Sequence, residues 1–374
     1  MRAVYIFLCV LFSFFTYGFI DTNLHLSQSS IFMSVQKPLE TLVFQMRPLA
    51  SLIFFAVLSS LFVLYLWFLK KGEKLFTPKK LFLFISGSAM VFLVSFPAFS
   101  YDIFNYITTA KVAFFHGENP YLVMPIEIAN EPYLAFTRAA NKVALYGPVW
   151  ILLTAIPHYF GAGDIGQTIL AFKLLNALTY LLVSYLIYQM TKSVRNVLFF
   201  AFNPLVIIEV LISSHNDSTM MAFLLLGILL WFSKGVGKKI AGLVALFASM
   251  LIKGATVVVV PLLFVKNISK EKFLLSTYIL LALVFLIAAP IREELYPWYG
   301  VWLVTIVACL DMKKYALLLG FTLVLSFGLE LRHLPYMYMG YYEGVGPLAR
   351  TLLTIIPIAV YGVYIGYKKV IKKS

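Results

Sequence analysis

LFLFISGSAMVFLVSFPAF, Leu81–Phe99, runs directly into SYDIFNYITTAKVAFFHGENPYLVMP, Ser100–Pro125. The first stretch is apolar for roughly the 20 residues that a bilayer crossing requires. The second is polar and chargeable, and Asp102 stands about one helical turn beyond the expected bilayer edge. Burying an ionised carboxylate is costly, so ionisable groups at or near membrane depth are functional candidates by default. What surrounds this junction decides whether the apolar run is a span and what the polar run is for.

Hydrophobic residues make up 61% of the 374 and charged residues only 12%. Many long apolar stretches at that composition describe a polytopic helical membrane protein and exclude a soluble one. The two cysteines, Cys9 and Cys309, lie in apolar runs and imply neither a disulfide framework nor a zinc site. The start, Met1-Arg2 followed by Ala3–Ile20, resembles a signal peptide, but no small-x-small cleavage site follows it, so it is read as a span.

A net charge of +14 would suggest nucleic acid in a soluble chain. Here 20 of the 30 Lys and Arg lie at Arg2, in the short loops around 70–80, 192–195, 234–239, 266–272 and 311–314, and in the tail. Those segments hold only 3 of the 16 acids. The positive-inside rule puts them in the cytoplasm. No nucleic-acid partner is expected.

Threading from a cytoplasmic Met1 gives spans at 3–20, 49–69, 81–99, 165–190, 197–213, 217–233, 273–291, 297–311, 315–330 and 349–367. The run 240–265 adds a hairpin of two short helices with Lys253 at its outer turn. The expected fold is therefore all-α, a single membrane domain over 1–374 with about twelve crossings and both termini inside. Residues 100–146 form a long external loop, of the kind that tends to be functional. Residues 147–160 are too short to span and are read as an interfacial or re-entrant helix, with Pro148 in its first turn.

Chemistry then falls on one face. Ser100 would cap a helix carrying Asp102, Asn105, Tyr106 and Thr109 on one side, and the positive helix start favours an ionised Asp102. A carboxylate that merely complements the dipole is the alternative. Glu118, in HGENPY, is a candidate ligand for a sugar hydroxyl, with a solvated loop acid as the default reading, while Glu127 and Glu131 read as solvated. His215, Asn216 and Asp217 occupy a tight turn between two spans, and Asn and Asp are ordinary turn formers. Glu209 lies within the preceding span and needs a partner or a neutral form. His215 and Asp217 could ligate a divalent cation, but no second ligand pair with recognisable spacing accompanies them, so no metal site is assigned. Lys253 and Arg292 are the cations best placed for a phosphate at headgroup depth, although such residues also snorkel to lipid. Tyr299, beside Trp298, suits either an interfacial belt or stacking on a sugar.

SYDIFNYITTAKVAFFHGENPY, LYGPVW, FNPLVIIEVLISSHND, LIKGATVVVVPLLFV and YPWYGVW, in that order between about Phe96 and Leu310, resemble successive blocks of the GT-C superfamily of integral-membrane glycosyltransferases. The likeness is to mannosyltransferase-like members that use polyprenyl-phosphate sugars. It implies a plasma-membrane hexosyltransferase, its active site facing the extracytoplasmic side. The donor would be a polyprenyl- or dolichyl-phosphate sugar, mannose above all. The acceptor would be a glycan, lipid or protein. By that likeness Asp102 matches the acidic residue of the first large external loop, the general base of an inverting single displacement. His215, Asn216 and Asp217 match a second external polar turn. The loop follows the third span here, whereas many relatives carry it after the first, and there is no DxD metal motif. A secondary transporter or flippase for lipid-linked sugars is the rival, suggested by the embedded Lys173, Glu209 and Lys253. A transporter would place its polar site near the midplane, often in repeated, broken helices. This sequence gathers its acids on the outer face and shows no repeat.

Overall fold

A computed structural model describes residues 1–24, 26–27, 29–291 and 294–371, and the side chains of all of these but 288–290 and 369–371. The described residues form helices and no strand. In chain order the α-helices are α1 (Arg2–Thr16), α2 (Ser30–Gln45), α3 (Arg47–Leu75), α4 (Pro78–Leu93), α5 (Asp102–Phe114), α6 (Pro148–Gly161), α7 (Ile165–Thr191) and α8 (Val194–Ala201). After them come the single turn α9 (Pro204–Val206), α10 (Asp217–Trp231), α11 (Val236–Ile252), α12 (Lys270–Ile291), α13 (Gly300–Val307), α14 (Ala316–Glu330), α15 (His333–Met339) and α16 (Gly346–Ile371).

Five helical segments are long and apolar enough to cross a membrane: Arg2–Phe19, Arg47–Leu75, Ile165–Thr191, Ala316–Met339 and Gly346–Lys368. A sixth results if the bent pair Val194–Ala201 and Pro204–Ile212 is one span. The chain is thus an all-helical membrane protein, with five or six such segments among the described residues where twelve crossings were expected. The expected spans 217–233 and 297–311 correspond to the shorter apolar helices Asp217–Trp231 and Pro297–Val307. The expected hairpin over 240–265 is α11 followed by a 3-10 stretch, Gly254–Phe264, with the break at Lys253. α2 was not expected at all. Its Pro38 and its polar Gln36, Lys37 and Glu40 hide it from a search for apolar runs.

The span expected over 197–213 is broken. Pro204 cannot donate its backbone nitrogen to the preceding turn, and Asn203 restarts the chain by accepting from Leu205 N at 3.1 Å. The two halves meet at 52°. Ile207–Ile212 then winds as a π-helix, a geometry found mostly as single turns at functional sites. The wider turn leaves the carbonyls of Leu211 and Ile212 to other donors. Buried Lys173, from α7, supplies them at 2.7 and 3.0 Å, and donates to Ser95 Oγ at 2.9 Å. Lys173 therefore ties three elements together. Lys173→Met should strip both carbonyls of their donor and lower stability by about 2–4 kcal/mol. Thermal unfolding in detergent measures this, and an unchanged midpoint would contradict it.

α10 and α11 approach closely because glycines face each other. A Cβ on Gly242 would stand 2.9 Å from Trp231 N and 3.0 Å from the Gly227 carbonyl. Small residues of this kind let membrane helices pack backbone to backbone. Gly147 performs the same service where the long loop rejoins the bundle. Its N–H donates to the Ile252 carbonyl at 3.1 Å, and a Cβ there would meet the Leu251 carbonyl at 2.0 Å. The segment 100–146 accordingly begins as a largely buried helix, α5, whose Tyr106 ring packs edge-on against Tyr146 and Trp150. Glu131, expected to be solvated, is buried and pairs with Lys111 at 2.6 Å.

Candidate active site

The N-terminus of α5 sets the first carboxylate. The helix starts at Asp102 with Tyr101 at the cap position, one residue later than the sequence suggested. Ser100 still serves it, its hydroxyl accepting from Asp102 N at 3.2 Å. One turn on, Asn105 Nδ2 donates to Asp102 Oδ1 at 3.2 Å, while Asn105 Oδ1 accepts from Ala139 N at 3.0 Å. The amide thus fixes the carboxylate and pins the loop above it. Tyr106, on the next step of the same face, accepts from Asn216 N at 3.3 Å and links α5 to the turn after the π-helix.

That turn is not an exposed corner. Ser213–Ser218 are fully buried, and Ser214 takes a left-handed φ of 61°. His215 Nδ1 stands 3.5 Å from Asp102 Oδ2 and its Nε2 stands 3.1 Å from Glu209 Oε2. These are ion-pair distances, and neither contact meets hydrogen-bond geometry. Trp298 stacks on the imidazole with ring centroids 4.1 Å apart. Glu209 Oε1 in turn lies 3.3 Å from His333 Nε2, which is 3.7 Å from Glu330 Oε2. The result is an alternating series of acids and imidazoles: Asp102, His215, Glu209, His333, Glu330. Asp102 is its most exposed member, with 23% of the side chain open to solvent, followed by His333 at 14%.

Burial disfavours a charged His215, but the Asp102 and Glu209 carboxylates on its two nitrogens outweigh it and push the imidazole up from 6.5 to about 9. Beyond these two acids, His333 faces Glu209 from the far side. A raised pKa means the folded chain holds a proton that the unfolded chain releases. The stabilisation is complete below about pH 6.5 and is lost as pH rises through about 9. Thermal stability should therefore fall over that window. Asp102→Asn should flatten the fall, and an identical profile for the variant would contradict the assignment.

A second arm carries the cations. Asp217, buried at the start of α10, accepts both of its contacts with Lys253 Nζ at 2.9 and 3.0 Å, and one from Trp302 Nε1 at 2.5 Å. The ammonium lies 4.8 Å over the Tyr299 ring, which stacks on Trp302. Beside His333, the Arg332 and Arg350 guanidinium groups converge on one oxygen of Glu294, Arg332 Nη2 at 2.8 Å. Two cations on one carboxylate leave a positive excess.

A family model describing the N-terminal domain of the MptA/B family of alpha-(1->6)-mannopyranosyltransferases matches residues 13–268, more than half of the chain. The chain belongs to this mannosyltransferase family. No curated protein and no solved structure matches it. Membership agrees with the resemblance to GT-C glycosyltransferases and favours a transferase over a transporter.

In this mannosyltransferase, Asp102, Asn105, Tyr106, His215 and Asn216 come together, and Asp217, Lys253 and Tyr299 form the adjoining arm. Glu118 is exposed on the loop after α5, and among the described residues no side-chain hydrogen bond or ion pair joins it to the cluster. Arg292 lies outside the described residues. Sequence reasoning missed Glu330, His333, Trp302 and the pairing of Arg332 with Arg350. Glu330-Leu-Arg-His333 did offer a signal, since Glu and His three apart on a helical turn share a face. Glu209, Glu330 and His333 each bring one donor atom within 4.8 Å of the others, whereas Asp217 is already engaged by Lys253 and Trp302.

Proposed function

We propose that this mannosyltransferase moves a mannosyl residue from a polyprenyl- or dolichyl-phosphate donor to a glycan, lipid or protein acceptor on the extracytoplasmic side of the plasma membrane. The observation that carries the reading is the partly exposed Asp102 carboxylate, held by Asn105 and backed by a buried His215. In the proposed step the acceptor oxygen attacks C1 of mannose as the C1–O bond to phosphate breaks, in one inverting displacement. The acceptor's proton passes to Asp102, and the electron pair leaves with the lipid phosphate. General-base assistance of this kind supplies about 10²–10⁴-fold.

Positive groups supply the complement, because a phosphate leaving group is stabilised by donors preorganised around its oxygens. Lys253 keeps a third ammonium proton beyond the two directed at Asp217, and 17% of its side chain is exposed. Arg332 and Arg350 share a single carboxylate, and among the described residues Arg332 Nε has no partner. A guanidinium fork suits a phosphate better than a lone ammonium does. The Asn216 amide, buried and without a hydrogen-bond partner among the described residues, is assigned to a sugar hydroxyl. The basic loops at the opposite ends of the spans support the orientation.

The donor class is tested by incubating purified protein with an acceptor and mannose labelled either on polyprenyl phosphate or on a nucleotide. Label should reach the acceptor from the lipid donor alone. Transfer from the nucleotide sugar alone would overturn the reading.

A further inference from the structure

The deep end of the acid–imidazole series is chemically incomplete. Glu330 is fully buried, and among the described residues neither of its oxygens has a hydrogen-bond partner. Glu209 is also fully buried, and its Oε2 faces His215 without a hydrogen bond. Buried carboxylates are normally hydrogen-bonded, paired or bound to metal. His333 faces both acids, yet a single nitrogen, Nε2, serves Glu209 at 3.3 Å and Glu330 at 3.7 Å. Arg332, next in chain, is directed at Glu294 and Thr354 instead.

We propose that Glu209 Oε1, Glu330 Oε2 and His333 Nε2 bind a divalent first-row transition ion of the Zn²⁺ or Mn²⁺ kind. Metal bonds of about 2.1 Å in tetrahedral array set neighbouring donors about 3.4 Å apart, close to the 3.3 and 3.7 Å found here. An imidazole donor beside two carboxylates favours a first-row transition ion over Mg²⁺ or Ca²⁺, which take oxygen donors alone. Three protein ligands leave a coordination position open. Two of the ligands stand three residues apart, Glu330 at the end of α14 and His333 at the start of α15, and the third comes from the π-helix. The irregular π-turn thus has a purpose, which is to bring Glu209 to the other two.

The ion would also organise what lies above it. With Oε1 on the metal, Glu209 still presents Oε2 to His215, and His215 presents Nδ1 to Asp102. Groups in contact with metal ligands are oriented through them, so the ion would position His215 and, through it, Asp102. This positioning role rests on the function proposed above. The ion site does not.

The test uses the full-length protein purified in detergent, stripped with chelator and reloaded separately with Zn²⁺, Mn²⁺ and Mg²⁺. Mass spectrometry of the metal should find one Zn²⁺ or Mn²⁺ per chain and no retained Mg²⁺. At 100 times the dissociation constant, the thermal midpoint should rise by roughly 3 °C. Glu330→Gln, nearly isosteric, and His333→Gln should each lose the ion, whereas Asp102→Asn should keep it. Wild-type protein that takes up no ion on reloading would overturn the proposal, as would a Glu330→Gln variant that binds as wild type does. An ion retained by Asp102→Asn protein that transfers mannose at full rate would sink the catalytic reading and leave the metal site standing.

Discussion

Asp102→Asn should lower mannosyl transfer by about 10²–10⁴-fold while leaving the fold intact. The amide keeps the shape of the side chain and can still meet Asn105 and the Ser100 hydroxyl cap on its own backbone N–H. What it loses is the ability to take the acceptor's proton and to balance His215. The loss should fall on the rate of the bound complex rather than on donor affinity, because the proton moves only as the new bond forms. Single-turnover rates with saturating donor measure it. Wild-type rates in the variant would remove Asp102 from the chemistry.

The second large effect concerns stability. Lys253→Met should destabilise the protein by about 3–5 kcal/mol, since Asp217 is fully buried and, among the described residues, would keep only Trp302 as a side-chain hydrogen-bond partner. Removing one member of a buried ion pair leaves an uncompensated charge, which costs more than the pair contributes. Asp217→Asn in the Lys253→Met background should therefore recover much of the loss. A double-mutant cycle on thermal or denaturant unfolding reads the coupling directly. Strictly additive losses would show that the two side chains do not depend on each other.

Much of the site was legible because it obeys local rules. Asp102, Asn105 and Tyr106 follow helical spacing, and a helix at the end of an apolar run needs a reason to carry an acid. His215, Asn216 and Asp217 stand out against apolar flanks, and the break at Lys253–Gly254 marked the end of α11. The environment of that turn was not legible. It was read as a membrane-edge corner, but Trp298, more than 80 residues away, stacks over it and buries it. The meaning of His333 and Glu330 depends on Glu209, over 120 residues earlier, and no local pattern shows that partner. The π-helix leaves no compositional trace, since adding a residue to a turn changes neither hydropathy nor charge. Pro204 breaks the helix, yet 197–213 is apolar enough to pass for one span. The expected spans 217–233 and 297–311 are apolar in the same way, and only the helix lengths show them to be shorter than a bilayer crossing.

The central claim is that Asp102 and its neighbours transfer mannose from a lipid phosphate in one displacement, rather than moving the intact lipid-linked sugar. The most direct measurement follows reconstituted protein with labelled polyprenyl-phosphate mannose and an acceptor, quantifying both products and assigning the anomeric configuration of the new linkage by NMR. One free polyprenyl phosphate should appear for each mannosylated acceptor, with the configuration at C1 inverted relative to the donor. Retention at C1, or movement of intact donor across the bilayer without release of polyprenyl phosphate, would contradict it.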